Sequence, residues 1–144
     1  MPAAKVAPAK SSSSKVSKPG FAPVFSALRQ LLETFVGDDV IAQAPKPGEY
    51  HLLIPSILHR KRPMFLAGLR IGKNYVSFHL LSVYYNPDAV KAMSPALKKR
   101  MQGKACFNFT QIDPDCFAEL KRLTAAGLKR FNSQEFRKYI QSIQ

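Results

Sequence analysis

Apolar and polar positions alternate over roughly residues 63–84 in a pattern that predicts a β-hairpin with two unlike faces. Within "GLRIGKNYVSFHLLSVYYN", residues 68–86, a turn at Lys73-Asn74 pairs Ile71 with Val76, Leu69 with Phe78 and Ala67 with Leu80, and further out Phe65 with Ser82. Strand side chains alternate with period two, so these residues share one side, and that side is core. The other side pairs Arg70 with Ser77, Gly68 with His79 and Leu66 with Leu81, a mixture too polar to bury without partners. Gly72 and Asn74 tolerate the positive φ that tight hairpin loops use.

Elsewhere the period lengthens to that of a helix. Val24, Leu28, Leu31, Leu32, Phe35 and Val36 recur at helical spacing, with Pro23 in the first turn and Gly37 as a stop. Residues 38–48 form a connector, and "EYHLLIP" is a short strand with Tyr50, Leu52 and Ile54 on one face; "SILHRKR" fits a loop or a strand extension. Asn86-Pro87, Ser94-Pro95 and Asp113-Pro114 each offer a capping side chain followed by a proline pre-set for the first helical position. The first of these helices turns Val90 and Met93 inward. The second, "SPALKKRMQG", sets Leu97 and Met101 one turn apart and ends at Gly103. The third aligns Phe117, Leu120, Leu123 and Thr124 before Gly127. Phe107 and Phe109 alternate with polar neighbours in "KACFNFT", a half-buried strand, and a last helix opens at Ser133 and buries Phe136, Ile140 and Ile143. The order predicts an α+β fold: a single antiparallel sheet of about four to five strands, flanked by helices packed mainly on its apolar face.

Composition refines this picture. A chain of 144 residues supports one domain with its own core. Residues 1–20 are rich in Ala, Lys, Pro and Ser and poor in large apolar residues, which predicts a disordered tail ahead of a domain over 21–144. The net charge is +13; the tail's four lysines, with no acid beside them, leave +9 to the domain. Its basic residues come as short pairs and triplets such as Arg60-Lys61-Arg62 and Lys98-Lys99-Arg100, the pattern of solvated helix faces and loops. Cys106 and Cys116 lack the spacing of a zinc or redox motif and are expected to be reduced, packed thiols. His51, His59 and His79 lie in separate elements, and only nine acids exist, so no metal site and no cofactor is expected. "GLRIGK" lacks the glycine spacing and the following Ser or Thr of a phosphate loop. No apolar run is long enough to span a bilayer, and a cytoplasmic location is expected, with no membrane partner.

Two stretches carry a resemblance. "MFLAGLRIGKNYVSFHL", residues 64–80, and "MSPALKKRMQGKACFNF", residues 93–109, resemble the strand-turn-strand and the helix-Gly/Lys-strand signatures of the YdhG-like family of small domains of unknown function. The resemblance covers about residues 24–143 and implies a compact α+β domain. Because some members are described as frataxin-like iron chaperones, it also implies an iron carrier as one alternative. It brings no catalytic residues. The leading expectation is a non-enzymatic binding domain. It would present Arg70, Ser77 and His79, with Lys104 and Asn108 nearby, to an anionic small molecule or an acidic protein surface. A nucleic-acid-associated basic protein, binding weakly and without sequence preference, is the other alternative.

Overall fold

In the computed structural model, which describes residues 21–144, side-chain caps open helices where the sequence places them. Asn86, Ser94, Asp113 and Ser133 accept from the backbone N–H of Ala89, Leu97, Cys116 and Phe136, satisfying donors that a first helical turn leaves open. The helices are α1 (Phe21–Glu33), α2 (Leu81–Tyr84), α3 (Pro87–Ala92), α4 (Pro95–Lys98), α5 (Pro114–Phe131) and α6 (Gln134–Ser142). Strands β1 (Ile41–Gln43), β2 (Glu49–His59), β3 (Arg62–Ile71), β4 (Val76–Leu80), β5 (Met101–Gln102) and β6 (Cys106–Phe109) make one antiparallel sheet in the order β1-β2-β3-β4-β6-β5. The fold is therefore α+β, and the short strands β1 and β5 bring the sheet to six strands. The tail expected over residues 1–20 lies outside the described residues.

One face of the sheet is core. Tyr50, Leu52, Leu69, Phe78, Leu80 and Phe107 are buried there, and α1, α5 and α6 pack on β2, β3 and β4. Removing such side chains from water, each contributing about 1.5–3 kcal/mol, is what holds the helices on this face. On the opposite face His51, Arg70, Ser77, His79, Cys106 and Asn108 are half-buried or exposed.

Several expectations are corrected. The β3–β4 register holds from Ile71↔Val76 to Ala67↔Leu80, but the pairs Phe65–Ser82 and Leu66–Leu81 do not form, because Leu81–Tyr84 winds into α2. In β3 a bulge sets Leu52 opposite Ala67 but Leu53 opposite Phe65, so that Leu66 is the extra residue. Leu66 and Ala67 both enter the core at 0% exposure, and Phe65 turns to the open face. A bulge inverts the alternation beyond it, which strict period-two reading cannot show.

The hairpin turn also differs. Gly72 N–H donates to Tyr75 C=O at 2.8 Å with neither Lys73 nor Asn74 at positive φ. Positive φ is found instead at Arg60 (56°) and Lys61 (68°), where "SILHRKR" becomes a strand extension and a tight turn. The helix predicted through Met101 stops at Lys98; Met101-Gln102 pairs with β6 through a turn at Gly103, φ 70°. The expected stop at Gly127 is absent, since α5 runs on to Phe131, and Ile143 is 39% exposed rather than buried.

Candidate functional site

Sheet register assembles the open face. Gln43, His51, Gly68, His79, Cys106 and Gln102 lie side by side across all six strands, and the next row sets Glu49, Arg70, Ser77 and Asn108 in line. Gly68 is the gap in the first row. The Phe65 ring fills it: a Cβ on Gly68 would lie 2.7 Å from Phe65 Cζ and 3.0 Å from His51 Cδ2. Phe65 thereby meets His51 at 5.6 Å and His79 at 5.3 Å between ring centroids, both edge-to-face, and three rings span three adjacent strands.

Beside the rings the polar groups hold one another. Ser77 Oγ donates to Asn108 Oδ1 at 2.8 Å, the Asn108 amide donates to Gln102 Oε1, and Tyr75 OH donates to the same oxygen at 3.3 Å. His79 Nδ1 lies 3.0 Å from Cys106 Sγ. Burial pushes the Cys106 thiol up and the His79 imidazole down, the latter helped by His51. Both shifts favour a neutral thiol beside a neutral imidazole and oppose the thiolate–imidazolium pair that nucleophilic cysteine chemistry uses. Cys116, near the start of α5, is buried in the core, and its thiol is pushed up to about 11 by burial and by Asp113.

Arg70 stands apart from this network. Its side chain is exposed and makes no hydrogen bond or ion pair among the described residues, although Glu49 faces it in register. Glu49 is engaged by Lys46 and by His51 Nε2, each at 3.8 Å. A shallow hollow of about 340 Å³ lies over the rings, Arg70 and Ser77. A second, of about 250 Å³, runs from the same Arg70 and Ser77 to Lys73 and Tyr75. Arg70 and Ser77 line both hollows, which together are called the trough: the rings line one, Lys73 and Tyr75 the other.

Of the residues predicted for this face, Arg70, Ser77, His79 and Asn108 come together. Lys104 does not join them: its ammonium lies 5.8 Å from the Tyr84 ring centroid, on α2. Phe65, His51 and Gln102 were missed. Gly68 was the usable signal, since a glycine inside a strand marks a bulge or a close approach, and Leu66 and Leu81 sat oddly on an otherwise polar side. Among the described residues no three His, Cys, Asp or Glu side chains cluster to hold a metal ion, and no helix is long and apolar enough to cross a membrane.

The lowered His79 pKa has a consequence for stability. The folded state binds His79's proton less readily than the unfolded chain, so stability is fully present above about pH 6.5 and is lost as pH falls through that value toward the lower folded pKa. Denaturant midpoints measured from about pH 8 to pH 5 should fall less steeply in His79→Gln than in the wild type. Equal slopes would show that His79 is not desolvated.

Neither a family model nor a curated protein nor a solved structure matches the chain.

Proposed function

We propose that the open face of the sheet is a non-enzymatic binding surface for an anionic ligand, in a domain of YdhG-like character. The observation that carries this is Arg70: an exposed guanidinium without an ion-pair partner among the described residues, lining both hollows of the trough. Arginine presents a planar fork of donors suited to phosphate or carboxylate, and nothing in the strand rows beside it except the engaged Glu49 opposes an anion. Ser77 donates to Asn108 and Asn108 to Gln102, and the held side chains offer a pre-set polar floor. The Cys106–His79 pair, biased to its neutral form, supports the non-enzymatic reading as far as thiolate chemistry goes. Two free thiols suit a reducing, cytoplasmic setting. The iron alternative has less support, since no cluster of carboxylates stands among the described residues.

The test is a titration with inorganic pyrophosphate followed by amide chemical shifts. Arg70, Ser77, His79 and Asn108 should move together, and Arg70→Ala should weaken binding about tenfold or more while changing stability by about 0.5 kcal/mol or less. Shifts confined to Arg60, Lys61 and Arg62 would place the anion on the hairpin tip and remove the proposed site.

A further inference from the structure

We infer that the trough on the open face takes single-stranded nucleic acid, its bases stacking on the Phe65–His51–His79 rings while Arg70 and Lys73 meet the phosphates. This rests on the anion-binding reading above and adds the chemistry of the rest of the ligand. A small inorganic anion needs donors only. Here the donors adjoin three aromatic rings that a sheet has turned outward, with His51's side chain 32% exposed, and Gly68 keeps the space above the strand clear for the Phe65 ring. Rings next to cations are the combination that a strand of nucleotides matches, because each unit brings a flat π-face and a phosphate.

Dimensions point the same way. From Gly68 to Gly72, along β3 and into its turn, the residues lining the two hollows span about 13 Å, more than one phosphate fills. Six strands spaced about 4.8 Å apart make a face of roughly 24 Å, too broad to enter a major groove about 12 Å wide, so a duplex would touch the face only through its backbone. Charge is complementary as well, with +13 on the chain and Glu49 as the sole acid that the strands place on this face.

The experiment uses the full chain and a fluorescein-labelled oligouridylate of about 12 nucleotides, followed by anisotropy across a range of salt, against a duplex of equal length and against pyrophosphate. Folding of each variant is checked by its thermal transition. Single strand should bind more tightly than duplex. Arg70→Ala should reduce the slope of log affinity against log salt by about 0.7, the value for one phosphate contact on a single strand. Phe65→Leu, which keeps an apolar side chain in the bulged strand, should weaken binding about tenfold and leave that slope unchanged, because stacking releases no counterions. Lys121→Ala, on an exposed turn of α5, should change affinity no more than any distant charge does. If pyrophosphate binding depends on Arg70 but Phe65→Leu binds oligouridylate as the wild type does, or duplex binds equally well, the nucleic-acid inference fails and the anion site stands. If Arg70→Ala alters neither ligand's binding, both fail.

Discussion

Replacing Phe78 by alanine is expected to cost about 3–5 kcal/mol, at the upper end for a single substitution in a core. Phe78 is 0% exposed at the centre of β4, cross-strand from Leu69 and Phe107, and its loss leaves a cavity bounded by strands on both sides and helices above. Neighbours tied into a ladder on both edges cannot collapse inward, so the cavity adds to the lost transfer energy. The measurement is a urea or thermal transition compared with Arg70→Ala, one residue type on each face of the same hairpin. Arg70→Ala should shift stability by about 0.5 kcal/mol or less. Equal destabilisation by the two would mean that Arg70 is a buried structural group and that the trough does not exist.

Gly127→Val should also be damaging, by overpacking rather than by a cavity. An added Cβ there would lie 2.0 Å from Ser82 Oγ and 2.5 Å from Ser82 Cβ, so α5 and α2 touch at this point with no room for a side chain. Rotating the Ser82 hydroxyl relieves the first contact; the second needs the helices to separate. Overpacking of this kind costs about 1–3 kcal/mol, more than the few tenths of a kcal/mol, roughly, that a helix gains when valine replaces glycine. Ser82→Gly removes the atoms in the way, so in a double-mutant cycle it should recover part of the Gly127→Val loss. An additive cycle would mean that the two residues do not meet.

Gly127 illustrates why local reading has a boundary. From neighbours in sequence alone, a glycine after a run of helical apolar positions is a stop; its use as a contact surface depends on Ser82, which is far away along the chain. The Leu66 bulge is the same case. Alternation predicted the hairpin register from Ile71↔Val76 through Ala67↔Leu80, yet it assigned Phe65 to the core because period-two counting has no place for an extra residue, and Gly68 marks a bulge or a close approach without saying which. Phe65 then became part of the candidate site for a reason that lies in the pairing of β3 with β2.

What the sequence determined by itself is whatever depends on residues within a few positions of each other: the caps at Asn86, Ser94, Asp113 and Ser133, the helical faces of α5 and of α1 as far as Leu32, though α1 ends at Glu33 and leaves Val36 exposed, and the two-sided character of the hairpin carrying Arg70, Ser77 and His79. These are local because hydrogen bonds three residues apart and side-chain periods of two or 3.6 are local. Only the tertiary structure decided which strands lie beside that hairpin, and so brought His51 in from β2 and Cys106 and Asn108 from β6 while carrying Lys104 away to Tyr84. Strand neighbours are chosen by burial of the whole apolar face against the helices, a sum over the entire domain that no short window of sequence contains.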